Sequence, residues 1–430
     1  MRLRLLVAAL VAAPLALVAA TAGTAGTASA KASTLTVWLQ VDAQSGWPDV
    51  VAAANKQFEA KHPGMKVDIQ YQQWTTHLQK FDATLAGGNS PDVIEMGNTE
   101  MTKYMAAGAF ANLTSDKSSF PNSRSWLTGL TKSASYGGKL FGVPYYAGSR
   151  VVVYRTDQYK KAGIRSAPKS LTQFVADGKK LMKTYGKKDK TYSAFYVAGK
   201  DWYSGLAFVY DYGGTIAKTK GGKWIGTLNS PKAIAGLNAF KTTYLALSRA
   251  SKSTDEAHPF PTVPFSQGHA GSFVGPGWQF GYALDPKAGN PALKPVLGAF
   301  PMPSHLKGRY MPAFLGGSDL AIPSTSGNKS AAEDWISAFT DNASMAGIVK
   351  AGNIPNSTSL LNLVTGTPGA ALAQAAKFTW FVPTAKNWTN VENANVLRNM
   401  LTSILTGKQS VKAAATSASN QITQILNAES

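Results

Sequence analysis

Leu35-Thr36-Val37-Trp38-Leu39 opens a stretch, residues 35–97, in which strand and helix patterns take turns. Leu35, Val37 and Leu39 alternate inside an apolar run, which predicts a buried strand. Pro48 stands where a first helical residue belongs, Val51, Ala54 and Phe58 follow at helical spacing, and His62-Pro63-Gly64 stops the helix. Val67, Ile69 and Tyr71 predict a second strand. Leu78, Phe81 and Leu85 stripe a second helix that Gly87-Gly88 ends, and Val93, Ile94 and Met96 predict a third strand. This β-α-β-α-β order implies an α/β fold built on a parallel sheet with helices on both faces. Ligands of such open sheets bind beyond the carboxyl ends of the strands. The loops to watch are therefore 42–47 and 97–100, and further along 198–203 and 275–278.

Downstream the pattern becomes a hairpin. Tyr136-Gly137-Gly138-Lys139 reads as a turn, with short strands at 140–143 and 151–154. A second α/β section follows, its first helix opening at Ser170 with Gln173 three residues on. Residues 192–197 predict a strand, and another helix starts after Ser230-Pro231. Residues 253–310 are rich in Pro and Gly and read as loops with short strands around Phe273. Ser330 and Glu333 have the spacing of a second capping box, and an amphipathic terminal helix begins at Val396.

At the start, Met1-Arg2-Leu3-Arg4 precedes an apolar run broken by Pro14, and Ala28-Ser29-Ala30 has the small-x-small form of a cleavage site. Residues 1–30 are expected to be a signal peptide, so the mature chain is secreted to the outer side of the cell envelope. The remaining 400 residues exceed what one core usually serves, and two domains are expected. There is no cysteine, hence no disulfide and no cysteine for a lipid anchor. The formal charge of +20 becomes +18 without Arg2 and Arg4. Most lysines are dispersed. The densest group, Lys179, Lys180, Lys183, Lys187, Lys188 and Lys190, falls at a predicted helix end and the following loop, where cations suit the helix dipole. No nucleic-acid module accompanies the charge, so nucleic acid is not expected as a partner. Peripheral contact with an anionic envelope remains open.

Catalytic patterns are absent. The histidines, His62, His77, His258, His269 and His305, are isolated and have no metal-ligand spacing, and no metal or other cofactor is expected. Such lone histidines are more often structural. There is no Gly-x-Ser-x-Gly elbow, and the glycine pairs match neither phosphate-loop pattern. A spatial carboxylate pair for glycoside hydrolysis could come from Asp42, Glu100, Asp201 or Asp319, but such groups equally accept hydrogen bonds from sugar hydroxyls without chemistry. The positive signal is aromatic. Trp47, Trp74, Tyr145, Tyr146, Trp202, Tyr203, Trp278 and Trp388 fall in or beside predicted loops. An aromatic face suits the C–H face of a pyranose, although core packing is the ordinary role of such rings.

These residues include motifs of a known family. Phe58-Glu59, His62-Pro63-Gly64, Ala86-Gly87-Gly88 and Pro91-Asp92-Val93 form an N-terminal signature, and residues 138–146 (Gly-Lys-Leu-Phe-Gly-Val-Pro-Tyr-Tyr) are the most specific segment. Gly275-Pro276-Gly277-Trp278, Phe314-Leu315-Gly316-Gly317-Ser318-Asp319-Leu320 and Gly352-Asn353-Ile354-Pro355-Asn356 follow in order. The chain resembles extracellular solute-binding proteins of carbohydrate-uptake ABC transporters, over nearly its whole mature length. A narrower resemblance, to actinobacterial chitobiose and N-acetylglucosamine binders, rests on residues 95–99, 199–203, 255–257 and 391–393.

The resemblance implies a two-lobed periplasmic-binding-protein-like fold, each lobe a mainly parallel sheet flanked by helices, joined by a multi-strand hinge. On it, residues 31–147 and 315–353 form the N-terminal lobe, and 148–314 and 354–430 the C-terminal lobe, with crossovers near 146–151, 312–315 and 353–356. It further implies a monomer that captures a mono- or oligosaccharide, has no catalytic residues, and delivers its ligand to ABC-transporter permease subunits. By position, Trp47, Trp74, Asn98, Thr99 and Glu100 would serve the site from the first lobe, and Lys200, Asp201 and Trp202 from the second. Trp278 would stack on a ring, Gly316, Gly317 and Ser318 with Asp319 would let the backbone approach, Tyr146 and Arg150 would line the hinge, and Trp388 the far wall. Two departures stand out: Gly148 replaces an acidic residue common in relatives, and the lipid-anchoring cysteine is missing. A secreted glycan-active enzyme and an envelope-associated interaction protein are the alternatives.

Overall fold

The computed structural model describes residues 33–366 and 368–429, so the signal-peptide reading of residues 1–30 lies outside the described residues. Two sheets organise the molecule. The first has six strands in the order Ile354–Pro355, Gly142–Gly148, Gly316–Ala321, Val93–Gly97, Ser33–Gln40, Met65–Gln72. The second has three, Ser272–Pro276, Arg150–Arg155 and Leu297–Phe300. The first three predicted strands and the helices between them form as read. Pro48 occupies the first turn of the helix Pro48–Lys61, which buries Val51, Ala54 and Phe58. The helix His77–Gly87 ends on Gly88, whose φ of 73° is left-handed and which a glycine adopts without strain.

The expectation of mainly parallel sheets needs correcting. Ser33–Gln40 pairs parallel with Met65–Gln72 and Val93–Gly97, but Gly316–Ala321, Gly142–Gly148 and Ile354–Pro355 add three antiparallel pairings. The three-stranded sheet is antiparallel throughout. The cause is the shuttling of the chain between sheets. A strand that arrives from the other lobe enters at the end where its neighbours leave, and so runs against them: Ser318 sits opposite Gly97 and Ala321 opposite Ile94. Only Ser149 separates Gly142–Gly148 of one sheet from Arg150–Arg155 of the other. Likewise only Leu315 separates Ala313–Phe314, paired with Thr379–Trp380, from Gly316–Ala321.

Three smaller expectations also change. Residues 192–197 form no continuous strand but meet their neighbours through single parallel bridges, Ser193 to Ala270 and Tyr196 to Phe273. The helix Lys329–Phe339 is preceded by Asn328, with no side-chain cap, and Glu333 pairs with Lys329 instead (3.2 Å). The terminal segment is two helices, Val396–Thr406 and Val411–Leu426, split at the left-handed Gly407. Ser170, by contrast, caps Leu171–Thr184 by accepting from the Gln173 amide, while the Gln173 side chain accepts from Lys169 N–H (3.0 Å).

One core lies between the first sheet and its helices, with Leu35, Val37, Phe58, Trp335 and Phe339 all within 1 % of full burial. The largest core holds the second lobe and includes Leu206, Phe208, Phe240, Trp388 and Leu401. Burial of this scale, about 1.5–3 kcal/mol for each large apolar side chain, holds each lobe as a unit.

Candidate ligand cleft

The strands of the first sheet end at a constellation of polar and aromatic side chains. Asp42 lies in the short helix Val41–Gly46, and its carboxylate accepts the indole N–H of Trp74. Trp74 is 37 % exposed, unusual for so large an apolar group. Beneath it His77 is fully buried, its Nδ1 3.0 Å from the Trp74 carbonyl oxygen and its Nε2 2.9 Å from Glu100 Oε2. The Gly97 amide donates to the same Glu100 oxygen (2.8 Å). Glu95, on the strand Val93–Gly97, is fully buried and accepts from the Gln40 amide (2.9 Å), and burial pushes its carboxyl up to about 7.

The second lobe answers from three segments. Asp201 caps the helix Trp202–Asp211, accepting from Ser204 N–H (3.1 Å) and Ser204 Oγ (2.6 Å). Trp278 arrives at the end of the returning strand Ser272–Pro276 and is 38 % exposed, edge-on to Phe260 with centroids 5.6 Å apart. The Arg150 guanidinium lies 4.1 Å from the centre of the Tyr203 ring. Arg150, Asp201, Glu256, Phe260, Trp278 and Gln279 line one pocket. Glu256 is held by Arg398 (2.9 Å).

Glu392 closes the arrangement. It sits in the helix Trp388–Asn393, which touches the first-lobe helix Met101–Ala106. Burial pushes its carboxyl up to about 7, the negative charges of Glu100 and Glu256 add to this, and the Trp388 indole and Arg398 oppose it. Glu392 thus lies close enough to Glu100 for the two charges to be felt together. Among the described residues no group of three or more His, Cys, Asp or Glu side chains is placed to hold a metal ion.

Of the residues singled out in the sequence, Trp74, Glu100, Arg150, Asp201 and Trp278 stand in this cleft zone, and Thr99, Lys200 and Gly316 are half-buried. The others are occupied internally. Asn98 donates from its side chain to Leu315 O (3.0 Å) and from its amide to Gly317 O (3.1 Å), tying the crossing strand down. Gly317, at φ 133°, is needed because a Cβ there would lie 2.1 Å from the Tyr146 carbonyl oxygen. Its backbone approach is thus to the sheet. Ser318 and Asp319 are fully buried, and Asp319 meets Ser133. The Trp47 indole donates to Tyr145 and its ring packs edge-on to Tyr146, which is 9 % exposed. Trp202 stacks on Tyr203 at 4.1 Å, and Trp388 is 1 % exposed in the core behind it, not on an open wall. Gly148 leaves room: a Cβ there would rest 3.8 Å from Pro276, an ordinary contact.

Sequence reading missed His77, Gln279, Phe260 and Arg398. It quoted Glu256 and Glu392 only as motif residues. The signal in Glu256 and Glu392 was their resemblance motifs. His77 had none, because its partners are set by tertiary contact.

Two lobes exchanging strands, with exposed indoles and carboxylates where the strands end, define a two-lobed solute-capturing protein. The chain belongs to the bacterial extracellular solute-binding protein family, whose pattern it matches over residues 39–346. It is 35 % identical over 384 residues to the diacetylchitobiose-binding protein DasA of Streptomyces coelicolor, covering 89 % of this chain and 87 % of that protein. It is 25 % identical over 296 residues to the arabinooligosaccharide-binding protein of Bacillus subtilis, covering 65 % and 64 %. Its fold is similar to that of the sugar-binding protein MalE of Xanthomonas citri, with TM-score 0.77, 19 % identity and coverage of 92 % and 97 %. The GacH receptor of Streptomyces glaucescens superposes at 0.76, again with 19 % identity, covering 93 % and 100 %.

Proposed function

We propose that this protein is an exported, monomeric carbohydrate-binding protein that captures an oligosaccharide of the diacetylchitobiose class and delivers it to an ABC importer, without chemical change to the sugar. The observation that carries this reading is the pair of exposed indoles, Trp74 from one lobe and Trp278 from the other, each beside hydrogen-bonding carboxylates. Stacking satisfies the apolar faces of a pyranose, and Glu100, Asp201 and Arg150 are at hand for its hydroxyls. Thr99 and Lys200 complete the contact set.

Residues 31–147 and 315–353 would act as one rigid body and 148–314 with 354–430 as the other. Strand exchange at Ser149 and Leu315 supports the first two crossings. A third crossing later than residue 353 is favoured, because Ile354–Pro355 pairs with the first sheet and the Leu127 and Thr358 amides donate to Asn356 O (2.8 Å) and Ser125 O (2.7 Å). Ligand contacts from both bodies favour the closed state over the open one, so binding shifts that population. A dissociation constant of roughly 10 nM to 10 μM, about −7 to −11 kcal/mol, is expected.

Isothermal titration of the mature protein with diacetylchitobiose, maltose, cellobiose, xylobiose and an oligogalacturonide tests the proposal, followed by chromatography of the recovered sugar. Saturable binding of diacetylchitobiose, returned intact, is expected. Turnover of any sugar, or no binding across the panel, would overturn it.

A further inference from the structure

Among the titratable side chains, His77 is buried at the base of the cleft with no direct access to it, yet it touches two groups on the cleft surface. Nδ1 lies 3.0 Å from the carbonyl oxygen of Trp74, which can only accept, so that nitrogen carries a proton. Nε2 lies 2.9 Å from Glu100 Oε2, an oxygen that already accepts the Gly97 amide at 2.8 Å. A second proton must lie between Nε2 and that oxygen. Ordinary basicities, about 6.5 for imidazole against 4.3 for a glutamate carboxyl, put it on the ring.

We propose that His77 is the positioning residue of the first lobe: as an imidazolium it bridges Glu100 to the backbone of Trp74 and so sets both ligand contacts, making sugar capture depend on its proton. This rests on the cleft being the sugar site. The Trp74 ring stands edge-on to the imidazole, centroids 5.2 Å apart and planes at 88°, while Asp42 takes its indole N–H. The Trp is thus held at two points, its backbone by His77 and its ring by Asp42. A Cβ at Gly97 would meet Glu100 Oε2 at 2.9 Å and Trp74 at 3.3 Å, so the glycine admits both groups.

The groups facing this assembly are acidic. Glu95 lies in the strand Val93–Gly97, Glu100 precedes the helix Met101–Ala106, Asp42 comes from the helix Val41–Gly46, and the charge of Glu392, in the helix Trp388–Asn393, acts together with that of Glu100. On the neighbouring helix, the Tyr104 hydroxyl donates to Asp82 (2.9 Å), and Lys80, one turn on from His77, reaches Gln72 (3.2 Å). Burial by itself would lower the basicity of the ring, but the hydrogen bond and charge of Glu100, with Glu95 behind, raise it overall. The ring therefore holds its second proton more tightly than a free imidazole does.

The test is a long-range 1H–15N spectrum of the imidazoles of the full mature chain between pH 5.5 and 9.5, with His77 assigned by its loss in His77→Asn. Both nitrogens should be protonated at pH 7, and the Trp74 indole signal, assigned with Trp74→Phe, should move with the same midpoint. In parallel, diacetylchitobiose affinity of the native chain should fall about tenfold from pH 6 to pH 9.5, while His77→Asn and His77→Gln bind about tenfold more weakly at pH 6 and show little pH dependence. A singly protonated ring at pH 7, or a Trp74 signal that ignores the ring's titration, would overturn the inference. So would affinity in the native chain that does not vary with pH. Failure of diacetylchitobiose to bind at any pH would instead count against the proposed sugar class, and the two spectra would still decide the role of His77.

Discussion

Ser133 Oγ lies 2.8 Å from the Leu130 carbonyl oxygen and 2.7 Å from Asp319 Oδ2, and a hydroxyl has one proton for two acceptors. If that proton goes to Leu130, the bond to Asp319 forms only when the carboxyl itself is protonated and donates. Burial points the same way, pushing Asp319 up to about 8 against the opposing bond from Ser133. A carboxyl raised this far contributes its full stability below the unfolded value, about 3.9, and loses it as pH rises through the folded value. Glu95, at about 7, adds in the same sense. Asp319→Asn keeps a donor toward Ser133 and cannot ionise, so its melting temperature should fall less between pH 6 and 9 than that of the native protein. Equal slopes in differential scanning calorimetry would mean that Asp319 is ionised throughout. In the cleft, Trp278→Ala should weaken sugar binding by about 1–3 kcal/mol, the loss typical of a well-packed anchor. Titration showing native affinity would remove Trp278 from the site.

Local signals placed most elements, and their failures share a cause. Pro48, Ser170 and Ser230 mark helix starts because the fixed φ of Pro48 and the side-chain caps of Ser170 and Ser230 act within their own segments. Ser330 and Glu333 had the right spacing, yet the cap falls on Asn328, just ahead of Ser330: Asn328 and Ser326 are bound to Asp92, more than 230 residues away in sequence (3.2 and 2.6 Å). Residues 192–197 have strand composition, but their neighbours lie near residues 270–273, so pairing is reduced to single bridges. The helix Trp388–Asn393 shows the same effect in a residue expected to line the site. Trp388 followed a loop-like stretch, and tertiary packing against Trp202 took it into the core. Trp388→Ala should therefore destabilise the second lobe by about 3–5 kcal/mol, seen as a lower urea midpoint, with sugar affinity of the folded fraction nearly unchanged. A large affinity loss at native stability would restore it to the site.

For the whole molecule, a ligand gripped by both lobes binds the folded chain and not the unfolded one. Diacetylchitobiose at one hundred times its dissociation constant should add about 2.7 kcal/mol and raise the melting temperature in a scanning-fluorimetry titration, while a shift absent at saturation would argue against capture by the folded cleft. The +20 charge, by contrast, says little about the cleft, where Glu100, Asp201, Glu256 and Glu392 gather. The amino-acid sequence by itself determined the alternating elements and most helix starts, because hydrophobic period, proline and glycine act over a few residues, and its family motifs implied the two-lobed class. It also put Trp74, Glu100, Asp201 and Trp278 where strands end. Only the tertiary structure decided which of the marked residues face the cleft and which are consumed by the fold, and that His77 stands behind Glu100. The reason is physical: burial and hydrogen bonding depend on what arrives from elsewhere in the chain. Arg398 meets Glu256 from 142 residues away, and Asn98 meets Leu315 from 217.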